Sequence, residues 1–118
     1  MASLQEYEKA LKALEIALTS PKTELNRDAA IQRFKFCIEL AWKTAKKLMQ
    51  TASSVPKTMI REMADQQMIS NPEQWFSYIE ARNLSSHTYK EDLAEKVYAV
   101  AGTFLPDGQS LLEKLKKI

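Results

Sequence analysis

Glycine and proline are scarce in this chain, two and four among 118 residues. A fold of hairpins and repeated tight turns draws heavily on both, so an all-β architecture is excluded. Cysteine occurs once. Cys37 therefore forms no internal disulfide and builds no thiolate metal cage alone; set between Phe36 and Ile38, it reads as an inert core thiol. No apolar run reaches membrane-spanning length and no basic-then-apolar leader opens the sequence. A soluble cytoplasmic protein with no membrane partner is expected. An excess of charge is lacking too. Seventeen Lys and Arg against fifteen Asp and Glu leave a formal +2, too little for a sequence-independent grip on a duplex, although local phosphate contact is permitted.

What is abundant is Ala, Leu, Glu, Lys, Gln and Met, the strong helix formers. The expectation is one all-α domain over residues 1–118, with no repeat and no low-complexity tract. Ser3 caps a first helix in a capping box with Glu6, and Leu4, Tyr7, Leu11, Leu14 and Leu18 form a narrow stripe, ended by Ser20-Pro21. A second helix is expected from about Asn26 to Gln50. Its main stripe is Ile31, Phe34, Ile38, Ala41, Ala45 and Leu48. Phe36, Cys37, Leu40 and Trp42 add apolar surface on other faces, which favours a second chain against part of it.

Pro56 suits the first turn of a short third helix carrying Met59, Ile60, Met63 and Met68, and Asn71-Pro72 starts a fourth. A last helix from Lys90 carries Leu93, Val97, Val100, Phe104, Leu111, Leu115 and Ile118. Pro106-Asp107-Gly108 interrupts it, yet the apolar register is kept, so a kink is expected in preference to a break.

The chemistry is concentrated in Arg82-Asn83-Leu84-Ser85-Ser86-His87-Thr88-Tyr89, which holds the only histidine. At about 100° per residue, Trp75, Tyr78, Ile79, Arg82, Ser86 and Tyr89 share one stripe if the fourth helix persists, and Phe76, Asn83 and His87 share another. Arg82 thus extends an apolar stripe and needs partners or a wet groove. Asn83 and His87 are spaced for the amide to hold the imidazole's tautomer. Arg82 and His87 share no face of one regular helix, so a joint site needs a helix end or two copies of the segment. The ordinary readings stand beside these. A lone histidine near a helix end is usually a surface or capping residue, Arg82 alone is an ion-pair candidate for Glu80 or Glu91, and Tyr89 alone is a half-buried aromatic. Arg33, Lys35, Lys43, Lys46 and Lys47 read as a solvated face with RNA contact the alternative.

With Arg82, Asn83, His87 and Tyr89 in the R-x4-H-x-Y form, the chain resembles the HEPN superfamily. Ile31 to Phe36 and Glu39-Leu40-Ala41-Trp42-Lys43 are similar to its nucleotidyltransferase substrate-binding branch. The resemblance implies an up-and-down antiparallel four-helix bundle with an extra short helix, forming a homodimer. It also implies a separate minimal nucleotidyltransferase of the polymerase-β-like fold as partner, and no metal or cofactor. In active relatives the Arg and His of both protomers meet near the two-fold axis and cut RNA. Such relatives are toxins that the partner neutralises, in some cases by adenylylating the tyrosine aligned with Tyr89. Arg82, Asn83 and His87 are then the expected catalytic residues, with Ser85, Ser86 and Tyr89 lining the substrate groove. The alternative is a non-catalytic subunit that binds nucleotide or substrate for the transferase. The Pro106 segment departs from the more regular last helix of relatives.

Overall fold

A computed structural model describes residues 3–118. Its helices are α1 (Leu4–Thr19), α2 (Glu24–Met49), α3 (Pro56–Asp65), α4 (Pro72–Leu84) and α5 (Glu91–Leu115), with a short 3-10 helix, Ser85–His87, between the last two. No strand occurs among the described residues, and no helix is long and apolar enough to cross a membrane.

Local chemistry sets the boundaries. The Ser3 hydroxyl accepts from the Glu6 N–H and starts α1, as expected. The α2 helix begins at Glu24 instead of Asn26, because Thr23 is its cap and accepts from the Asn26 N–H. It ends where Gln50 turns left-handed at φ 55°. Pro56 and Pro72 each occupy the first turn of their helices. Asn71 precedes α4 as expected, but its side chain makes no cap bond. The amide instead donates to Asp107 at 3.3 Å.

Contacts between helices give their directions. Tyr7 of α1 meets Gly108 and Lys22 meets Glu95, so α1 and α5 run antiparallel. Arg27 meets Glu91 and Glu95 while Phe34 meets Phe104, so α2 and α5 run the same way. Asn71 meets Asp107 and Tyr78 meets Thr103, so α4 opposes α5. The result is the expected up-and-down bundle, with α3 as the extra short helix.

At its centre stands Phe104, fully buried, edge-on to Phe34, Trp75 and Tyr78 at centroid distances of 5.5, 5.6 and 5.2 Å. The α1 stripe is inside through Tyr7, Leu11 and Leu14. On α2, Cys37 and Trp42 are covered within the chain itself, while Phe36 stays 45 % exposed. The spare apolar surface is therefore smaller than its composition suggests. Burial pushes the Cys37 thiol up to about 12, which makes it an unreactive core group. Arg27, also buried, is neutralised by Asp28, Glu91 and Glu95, and these same contacts raise its pKa.

The Pro106 segment does not break α5. Proline removes one N–H from the ladder and crowds the carbonyl four residues back, and Gly102 stands there with open space around it. Gly108 has a different task. A Cβ there would lie 2.8 Å from the Phe104 ring and 2.9 Å from Leu11, and the Gly108 carbonyl accepts from the buried Tyr7 hydroxyl at 2.8 Å. This is where α1 and α5 touch backbone to side chain. The two glycines of one helix should therefore respond oppositely to alanine. Gly102→Ala should stabilise by about 0.5–1 kcal/mol, because helix propensity improves without a clash. Gly108→Ala should lose roughly 1–2 kcal/mol net, overpacking outweighing the same propensity gain. Chemical denaturation of both variants checks the signs.

Candidate functional site

The α4 helix buries Trp75, Tyr78, Ile79 and Ala81 against the bundle, and Arg82 continues that inward stripe. A guanidinium so placed must find an anion. It finds Glu39 on α2, with Nη1 to Oε1 at 2.8 Å and both side chains 25 % exposed. Lys43, one turn on, approaches the other Glu39 oxygen at 3.5 Å and lies over the Trp42 ring, 5.7 Å from its centroid. Neither expected ion-pair partner is used. Glu80 is exposed, away from the stripe that faces α2, and Glu91 is taken by Arg27.

The α-helical stripe does not persist to Tyr89. At Ser85 the chain tightens into the 3-10 helix. Three hydroxyls close this end by donating to carbonyls three residues back: Ser85 to Arg82 at 2.5 Å, Ser86 to Asn83 at 3.2 Å, and Thr88 to Ser85 at 3.2 Å. Carbonyls at a helix end lack their usual donor four residues on; that of Arg82 accepts from the Ser85 N–H, and the hydroxyls supply further donors. Their protons are committed to the backbone; their acceptor lone pairs remain.

The tighter turn also undoes the expected Asn83–His87 contact. An i,i+4 pair meets on an α-helix, but a 3-10 helix turns about 120° per residue and rotates the later member away. Both side chains are exposed, and no hydrogen bond joins them among the described residues. His87 instead lies edge-on to Tyr89, with centroids 6.3 Å apart and planes at 68°. Tyr89 is 79 % exposed. Within the chain, then, Arg82 is turned inward to α2 while Asn83, His87 and Tyr89 stand in solvent along the same helix end. No hydrogen bond links Arg82 to His87.

Sequence reasoning used Glu39 only as part of a family-like motif and read Trp42 as apolar surface, giving neither a place in the site. The signal was present: a carboxylate between Ile38 and Leu40 on one helix, and an arginine extending an apolar stripe on another. A groove of about 490 Å³ between α1 and α2 reaches this place, lined by Arg33, Phe36, Glu39, Leu40 and Lys43 among others. Of the basic set on α2, Arg33, Lys43 and Lys47 are exposed while Lys35 and Lys46 are half-buried. A cavity of about 600 Å³ lies at the other end of α4, beside Asn71, Trp75, Asp107 and Lys114, and contains none of the residues singled out for chemistry.

Comparison with known proteins gives concordant matches. The profile of the family described as "Nucleotidyltransferase substrate binding protein like" matches residues 2–117. A Haemophilus influenzae protein named "Probable ribonuclease HepT" is 35 % identical in an alignment 96 residues long, which covers 75 % of this chain and 66 % of that protein, just short of two-thirds of its length. A Thermus thermophilus crystal structure superposes with a TM-score of 0.86 at 26 % identity, covering 92 % of this chain and 98 % of that one. A Haemophilus influenzae structure, described as revealing the fold of a substrate binding domain of a nucleotidyltransferase, gives 0.82 at 28 % identity, covering 96 % and 98 %.

Proposed function

The chain belongs to the nucleotidyltransferase substrate binding protein-like family, and from that premise we propose that it is the helical subunit of a two-component system with a separate minimal nucleotidyltransferase. In this reading two copies form a homodimer, and Arg82 and His87 of both protomers line a shared cleft that cuts RNA without a metal. The partner enzyme, of polymerase-β-like fold, neutralises this toxic activity. The observation that carries the reading is the end of α4, where an inward-held guanidinium is followed by an exposed imidazole on a 3-10 turn. A relative named as a probable ribonuclease adds support.

RNA brings its own nucleophile. One imidazole takes the proton of the 2′-OH as that oxygen attacks phosphorus; the partner protomer's imidazole gives a proton to the departing 5′-oxygen. The bond formed is 2′-O–P and the bond broken is P–O5′, leaving a cyclic phosphate and a 5′-hydroxyl. Arg82 stabilises charge on the non-bridging oxygens. Asn83, exposed and not bonded to His87, takes a phosphate-binding role, and the Ser85 and Ser86 oxygens line the approach.

A second reading is a non-catalytic subunit that presents nucleotide or substrate to the transferase, favoured by the description of the Haemophilus structure. Incubating the purified protein with cellular RNA in chelator, beside Arg82→Ala, separates the two. Cleavage by wild type alone supports the ribonuclease, whereas RNA left intact by both supports the binding subunit.

The exposed Tyr89 hydroxyl is proposed to accept AMP from the partner enzyme. Intact-mass spectrometry after co-expression should show one added adenylyl group on wild type and none on Tyr89→Phe. An unmodified wild type beside an active partner counts against the assignment.

A further inference from the structure

We propose that Glu39 is a positioning residue for the α4 site: it grips Arg82 by one nitrogen and leaves the guanidinium's side-on fork for a phosphate. The inference deepens the ribonuclease reading and rests on it for the identity of the ligand. It does not rest on it for the Glu39–Arg82 interaction itself.

Glu39 is the only side-chain partner of Arg82 among the described residues. A guanidinium presents two forks, an end-on pair through Nη1 and Nη2 and a side-on pair through Nε and Nη2. Glu39 approaches Nη1. Arg82 Nε is buried with no hydrogen-bond partner, and so are Glu39 Oε1 and Trp42 Nε1. The contact is thus a close ion pair whose alignment falls short of a hydrogen bond. Were it only a structural bridge, a bidentate fit satisfying Nε would be the economical arrangement, since a buried N–H left unpaired is costly. The observed one satisfies neither Nε nor the Trp42 indole, 92 % buried three residues along α2 from Glu39.

The unpaired fork suits an acceptor with two oxygens at fixed spacing, which a phosphodiester supplies through its non-bridging oxygens. The guanidinium is a quarter exposed while its Nε is covered, so a phosphate taken on this fork requires the side chain to turn about the Nη1 contact. The carboxylate does not cancel the attraction for such an anion. Lys43 stands on its other oxygen, so the Arg82, Glu39 and Lys43 trio keeps one net positive charge. Without Glu39 the arginine would extend α4 toward α2 with nothing to fix it, and a long flexible cation positions phosphate poorly.

The test uses the full chain carrying Glu39→Gln or Glu39→Asp. Asp keeps the charge but is shorter by one methylene, so it cannot span the 2.8 Å contact unaided. The readout is hydrogen exchange at the arginine Nε–H groups by NMR. The chain has four arginines, Arg27, Arg33, Arg61 and Arg82, and Arg82→Lys assigns the relevant signal. Exchange at Arg82 Nε is expected to accelerate about tenfold or more in both variants, and an unchanged rate overturns the proposal. In RNA cleavage, Glu39→Asp should lower kcat about ten- to a hundredfold with KM moved less than about threefold. A loss confined to KM, or full activity, would also overturn it. Exchange needs no substrate, so an inert wild type sinks the ribonuclease reading and leaves this test standing. An active wild type with unmoved exchange sinks the positioning role alone.

Discussion

Replacing His87 by alanine is expected to slow RNA cleavage by roughly 10²- to 10⁴-fold, the range that loss of a general acid–base catalyst spans. Stability should barely move. His87 is exposed on the 3-10 turn, and the bond its carbonyl accepts from the Lys90 N–H at 3.2 Å is a backbone one that alanine retains. A surface change of this kind shifts unfolding by about 0.5 kcal/mol or less. The combination of large catalytic loss and intact fold is the diagnostic. Gel-resolved cleavage of a defined RNA in chelator, with a thermal melt of each variant, measures both halves.

The second large effect concerns the core. Phe104→Ala is expected to cost about 3–5 kcal/mol, the usual toll for removing a buried ring. This ring is fully buried and makes edge contacts with Phe34, Trp75 and Tyr78, joining α2, α4 and α5 at one point. It also fills the space against Gly108. With whole-domain stabilities of about 5–15 kcal/mol, such a loss removes a large share and should lower Tm by on the order of 10–20 °C. Calorimetry decides it. A fall of only a degree or two would mean that α4 and α5 are held chiefly by other contacts.

Much of the fold was legible because helix burial repeats with a period that spacing reveals. Leu11 and Leu14 on α1, and Phe34, Ile38 and Ala41 on α2, lie where that period puts them. Pro56 and Pro72 marked helix starts because proline lacks the N–H that the first turn does not use. Less was legible where two helices decide a residue's role together. Asn71 is a good cap by type, but its side chain is turned so that the amide N–H donates to Asp107 and its oxygen caps nothing. Gly108 looks like part of a helix-breaking segment until Leu11 and Phe104 show why no side chain fits there.

At the candidate site the difficulty was a change of helix type. Projecting at 100° per residue carried Ser86 and Tyr89 onto the inward stripe and paired Asn83 with His87, while the 3-10 turn after Leu84 ends both relations. The hydroxyl-rich composition held the clue, since Ser85, Ser86 and Thr88 each bond a carbonyl three residues back. The need of Arg82 for a partner could be read from its place on an apolar stripe. That the partner is Glu39 could not, because it depends on how α2 and α4 cross.

The most direct trial is to identify the ends left on a short synthetic RNA after incubation with the purified protein in excess chelator. The account predicts fragments carrying a cyclic 2′,3′-phosphate and a 5′-hydroxyl, absent when either Arg82 or His87 is replaced. Untouched RNA, or 3′-hydroxyl and 5′-phosphate ends, would contradict it.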